Sequence, residues 1–358
     1  MSEEIIDTIL PEEPEGAEKP SLLPGFKSIC MRIGLMMIVV FVSRYFGNIF
    51  AALIMPLASE LDTVPFYLLD VAISVVFLYA IPIIAAVFIL KNPLKGKKPY
   101  SHTKYFGKAM GLFPAAYGAA IFVRILTLIA GAFLQGTDLE DSFNATSEAL
   151  ATPNMATAVI LFVQLTVIAP IFEELWFRGL VLESLRPYGN GFAIFISALL
   201  FGMTHANFEQ FFYATTIGIV LGYIAVSTGS LVTTTIMHAI LNSISGIMLL
   251  LAADEGVGDY LLAAQRGEEG VITASVVLYI IWLVAVMLLL AVGVVMAIYK
   301  LIKIKRYRVP KVQTELSAPC RWGIFLSRAT VIIMLLLAAD TFVWNFIPRF
   351  IYGLIAGG

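Results

Sequence analysis

Three short stretches hold the residue types that can do chemistry here: Glu173-Glu174-x-x-x-Arg178, Phe201-x-x-x-His205 and His238-x-x-x-Asn242. All three lie in apolar surroundings, where an ionised group costs roughly 3 kcal/mol or more unless it is paired or faces a wet cavity. A helical reading puts Glu174 and Arg178 on one face as an i, i+4 pair. It turns Glu173 about 100° away from them, toward some other partner. The plain alternative is that the two glutamates solvate a helix end or lock Arg178 in place. Two histidines and an asparagine in other apolar runs argue for more. A carboxylate hydrogen-bonded to an imidazole can orient and deprotonate a water for attack on an amide carbonyl. A second imidazole and a carboxamide can donate to the oxyanion as charge develops there. The same residues admit a second chemistry, because Glu173, His205 and His238 are a common zinc trio that leaves a position open for water. The sequence does not choose between them, and no His-Glu-x-x-His signature is present.

Something must bring these stretches together. Pro187-Tyr-Gly-Asn-Gly191 is a strong turn signal, so the runs on either side form an antiparallel hairpin. Glu173 lies sixteen residues before Gly189 and His205 sixteen after it, which puts both at a similar depth, roughly 20 Å from the turn. A second reversal at Ser227-Thr-Gly-Ser230 starts the helix whose face carries His238 and Asn242. Gly218 and Gly222, four apart, allow close helix packing between the second and third stretches. The third histidine, His102, falls in a basic loop and reads as a solvated residue.

The composition fixes the solvent around these helices. The chain has 358 residues, 59% hydrophobic and only 13% charged, against roughly 25% charged in a soluble domain. Apolar runs long enough to span a bilayer fall near 29–56, 66–90, 107–135, 155–186, 191–206, 210–227, 231–252, 271–300 and 323–347. The fold class is therefore an all-α polytopic transmembrane bundle of eight or nine spans. Lys and Arg cluster at 91–108 and 300–311 and are absent from 57–65 and 136–154. That bias places the two basic segments, and the N-terminus with Lys19 and Lys27, in the cytoplasm. Arg44, Asp70, Arg124 and Asp340 also fall in or near spans and read as structural. Cys30 and Cys320 have no metal-ligand spacing, and a net charge of −2 gives no reason to expect nucleic acid as a partner.

The three motifs, in order, resemble those of the CPBP family of intramembrane proteases, which includes the type II CAAX prenyl endopeptidases and the Abi bacteriocin-immunity proteins. Gly218-Ile-Val-Leu-Gly222-Tyr and Ser227-Thr-Gly-Ser-Leu231 are similar to the linker between the family's second and third motifs. The resemblance covers about residues 155–250. It implies that Glu173 activates water with His205, that His238 and Asn242 form the oxyanion site, and that Glu174 and Arg178 support them. It leaves open a metal-dependent or a glutamate-dependent mechanism, so the one cofactor in question is a divalent metal such as zinc, held by Glu173, His205 and His238. The implied substrate is a peptide or lipidated protein at the membrane, and membrane lipid is the other partner. The chain divides into an acidic, Pro-rich disordered tail (1–25), N-terminal helices (26–154), the catalytic core (155–252) and C-terminal helices (253–358). Two other readings compete: a proton- or ion-coupled transporter using the buried Glu, His and Asn, and a non-catalytic immunity protein. The first would predict two repeated halves, which the sequence does not contain.

Overall fold

The computed structural model describes residues 22–101, 103–133, 154–307, 309, 312 and 316–344. The bundle is all-helical across these residues. In chain order it runs α1 Leu23–Ile54, α2 Thr63–Ile89, α3 Phe106–Ala132, α4 Met155–Tyr188, α5 Asn190–Met203, α6 Phe208–Thr228, α7 Leu231–Ala252, α8 Glu255–Arg266, α9 Ala274–Ile302, α10 Ala318–Leu326 and α11 Ala329–Val343. Seven of these are long and apolar enough to cross a membrane, or up to eight if α10 and α11, bent by 70° at their junction, count as one span.

Of the expected eight or nine spans, eight agrees with that upper count, and a ninth is not found among the described residues. The run 191–206 is the cause. It folds as α5, only 14 residues long, or about 21 Å, against a hydrocarbon core of about 30 Å. The chain leaves α5 at Thr204, makes a polar turn through His205, Ala206 and Asn207, and re-enters as α6. Ala206 adopts φ 60°, and the Asn207 side chain caps α6 by accepting from the Gln210 N–H at 2.8 Å. Irregular backbone at this depth survives only where protein surrounds it, and here Arg44 Nη1 of α1 donates to the Thr204 carbonyl at 3.0 Å. The tail assigned to 1–25 also ends early, since residues 23–25 belong to α1. Residues 1–21, the segment 136–153 and His102 lie outside the described residues.

The helices meet through small residues. Gly118 of α3 packs on the backbone of Gly293 in α9 so closely that a Cβ would fall 2.1 Å from the Gly293 carbonyl carbon. Gly218 of α6 lies against Ala198 of α5, and a Cβ there would also reach within 3.3 Å of an Arg178 Nη. That glycine therefore makes room for the guanidinium as well as for the helix. The interior has two parts. One joins α1, α4 and α5 around Met36, Trp176, Phe177 and Phe201; the other joins α3, α6 and α7 around Tyr117, Leu221, Met237 and Leu241.

The basic loops gather at one end. Leu231 N–H, at the start of α7, donates to the Pro99 carbonyl at 2.7 Å, and Tyr307 packs on Tyr223 near the end of α6. Gly189, at φ 125°, makes the turn predicted between α4 and α5.

Candidate active site

α4 carries the two glutamates, and its backbone is not a plain α-helix. Residues 164–168 and 174–182 are π-helical, with wider i→i+5 hydrogen bonding, a form frequent at functional sites. Pro170 follows the first widened stretch. Ala169 N–H reaches the Gln164 carbonyl five residues back; the next residue, Pro170, has no N–H for the Leu165 carbonyl. Asn242 of α7 supplies it, its Nδ2 donating to Leu165 O at 2.9 Å. One hydrogen of the Asn242 amide is thereby spent on backbone, and the other stays free.

Glu173 and Glu174 diverge as the sequence predicts. Glu174 is fully buried, and one of its oxygens, Oε1, accepts from Arg178 Nη1 at 2.8 Å and pairs with His238 Nδ1 at 2.9 Å. Arg178 Nη2 also donates to the Gly218 carbonyl at 3.3 Å, and its guanidinium lies 4.6 Å from the centre of the Phe201 ring. Glu173 keeps 15% of its side chain exposed, with Oε2 3.6 Å from the other nitrogen of His238, Nε2. The His238 ring therefore stands between the two carboxylates. Tyr79 of α2 donates its hydroxyl to Glu173 Oε1 at 3.3 Å and stacks on Phe172.

His205 closes the site from the α5–α6 turn. Its Nδ1 lies 3.1 Å from the Phe201 carbonyl. A carbonyl only accepts, so Nδ1 carries the hydrogen and Nε2 is left as an acceptor. The Phe201 ring meets both imidazoles edge-on, at 5.1 Å from His205 and 5.6 Å from His238, which makes it the spacer that sets the two histidines apart. The imidazole beside Glu173 is that of His238, where the motif order pointed to His205.

The zinc trio is not assembled. Among the described residues no group of three or more His, Cys, Asp and Glu is disposed to hold a metal ion. Glu173 lies beside His238, and His238 and His205 share the Phe201 ring, but the three do not form a ligand set.

Residues 155–244 match the family model for the type II CAAX prenyl endopeptidase Rce1-like proteins. The matched stretch runs from the start of α4 into α7 and contains all three motifs. No curated protein and no solved structure matches the chain.

The sequence reading missed two participants. Tyr79 sits in an ordinary aromatic-rich span, and nothing in its spacing marks it; only the fold brings it to Glu173. Glu209 pairs with Arg124 and is 3% exposed. It stands at the first turn of α6, and an unpartnered arginine in the third span was the signal that a buried acid should exist. Two of the other charges in or near spans bond within the fold, Arg44 donating to Thr204 O and Asp340 accepting from Tyr45 at 2.8 Å.

Proposed function

We propose that this protein is an intramembrane endopeptidase that hydrolyses a peptide bond by a glutamate-activated water, acting on peptides or lipidated protein tails presented at the membrane. The observation that carries the reading is the partly open Glu173 carboxylate beside His238 Nε2, in a ring whose Nδ1 is anchored by the buried Glu174–Arg178 pair. The family match over 155–244 supports the same reaction class.

In the proposed reaction, a water lies between the Glu173 carboxylate and the free Nε2 of His205. Glu173 removes its proton, and the oxygen bonds to the carbonyl carbon of the scissile peptide. The carbonyl oxygen takes up the electron pair and lies toward the free amide hydrogen of Asn242 and the Nε2–H of His238, the ring between two carboxylates carrying a hydrogen on each nitrogen. Collapse breaks the C–N bond, and Glu173 returns the proton to the departing amine. Glu174, Arg178 and Tyr79 touch none of the reacting atoms and act by holding His238 and Glu173. We further assign the basic end of the bundle, with the N-terminus, to the cytoplasm; a cysteine placed at position 141 should label only from the opposite side.

The test is cleavage of a peptide library by purified protein in detergent, with and without a strong chelator. Cleavage should survive exhaustive chelation and vanish in Glu173→Gln. Loss on chelation with recovery on adding zinc would replace the glutamate mechanism with a metal one.

A further inference from the structure

A cavity of about 120 Å³ opens at the basic end of the bundle, between the 94–99 loop, the end of α4 and the start of α7. Its wall carries Lys97, Lys98 and Arg186 against a single carboxylate, Glu183, which is bonded to both Lys97 and Arg186. Two cations are therefore left in excess, and the Lys98 side chain has no hydrogen bond or ion pair among the described residues. Arg178 forms the inner part of the same wall. Its side chain is 0% exposed, and its Nε is a buried donor without a partner among the described residues. That burial closes the guanidinium to an occupant of the cavity, and the charge available there is that of the lysines and Arg186. Leu94 and Leu231 supply the apolar side of the opening. A small concave site with excess positive charge and leucines in its lining, set where basic loops meet apolar helices, has the chemistry of a headgroup site.

We infer that this cavity binds the phosphate of an anionic phospholipid, with Lys97 and Lys98 at the headgroup and the acyl chains lying along the adjoining helices. Arg178 is bonded to Glu174, and Glu174 to His238, so the cavity wall at Arg178 is two contacts from the proposed catalytic histidine. The inference concerns lipid binding alone and stands whether or not the chain proves to be a peptidase.

The experiment is native mass spectrometry of the full chain released from nanodiscs of phosphatidylcholine, with and without phosphatidylglycerol. Wild type should retain phosphatidylglycerol in preference to phosphatidylcholine. Lys98→Gln, a surface change, should weaken that retention about fivefold, and the Lys97→Gln/Lys98→Gln double variant about thirtyfold, as the loss of one and two lysines at an anionic surface implies. Circular dichroism of each variant checks that the helices persist. Retention that ignores headgroup charge, or that is unchanged in the double variant, would overturn the inference. So would displacement of the lipid by equimolar inorganic phosphate, which would make this a free-anion site. Displacement by a peptide with a free C-terminal carboxylate, but not by its amide, would assign the cavity to a peptide end instead.

Discussion

α2 and α4 contain the same backbone device, used for different ends. In each, a π-helical stretch ends just before a proline: Val75–Ala80 before Pro82, and Gln164–Ile168 before Pro170. In each, the carbonyl five residues before the proline has no N–H to meet, and a side chain from another helix takes its place. Ser43 of α1 donates to Phe77 O at 2.5 Å, and Asn242 of α7 donates to Leu165 O at 2.9 Å. The two devices aim at one point, since Tyr79 lies three residues before Pro82, Glu173 three after Pro170, and the two side chains meet at 3.3 Å. The difference lies in the donor. A serine hydroxyl has one hydrogen and is used up by the repair. The carboxamide has two, so Asn242 can repair α4 and still face the reaction space. The α2 device is structural; the α4 device joins structure to chemistry.

The largest effect should come from the α4 arm. Glu173→Gln preserves shape and hydrogen bonding but removes the base, and should abolish turnover with the melting temperature nearly unchanged. Glu174→Gln should do the reverse. It leaves Arg178 and His238 facing a neutral amide in a fully buried setting, which costs roughly 3–5 kcal/mol when one partner of a buried pair is lost. Its residual activity should exceed that of Glu173→Gln. Cleavage rates and melting curves in one detergent decide the matter; a dead but fully stable Glu174→Gln beside an active Glu173→Gln would reverse the roles.

Much of this was legible in the residues. The turn at 187–191, the Glu174–Arg178 pair and the convergence of α4, α5 and α7 follow from spacing, because helical periodicity fixes which side chains share a face. That α5 stops short of a span was hidden, because its run, though short in the sequence, is rich in Ile, Leu and Phe and reads as a span whether or not the helix is long enough to cross. The π-helical widening was hidden too, because a proline marks a break without saying how the backbone accommodates it. Tyr79 was invisible, and Glu209 signalled only by the arginine it pairs with, for a simpler reason: their partners lie 94 and 85 residues away in sequence, and no local pattern names the partner.

An intermediate effect sharpens the contrast between the two donors. Ser43→Ala and Asn242→Ala each strand one backbone carbonyl, so each should cost about 1 kcal/mol of stability. Their activities should part company. Ser43→Ala should cleave at near the wild-type rate, whereas Asn242→Ala also loses an oxyanion donor, worth about 10²–10³ in kcat. Melting curves and kcat measured on both variants test this. Equal losses of kcat at equal losses of stability would mean that Asn242 merely props α4 open, and the oxyanion role would be withdrawn.

The smallest effect belongs to the contact where the devices meet. Tyr79→Phe removes one hydroxyl and keeps the ring stacked on Phe172, whose centroid is 5.5 Å away. Stability should change little, because Glu173 retains 15% exposure and can draw on water in place of the lost donor. The hydroxyl bonds the charged carboxylate better than the protonated acid. In the proposed mechanism Glu173 must be ionised to act as base, so the acidic limb of the kcat profile should move to higher pH. Near the original limb this variant would be slower by a few fold, and well above it the rates should converge. A merely structural role for Tyr79 would lower kcat by the same factor at every pH. A uniform loss would therefore confine the α2 device to holding the bundle, and a shifted limb would show that it also tunes the base.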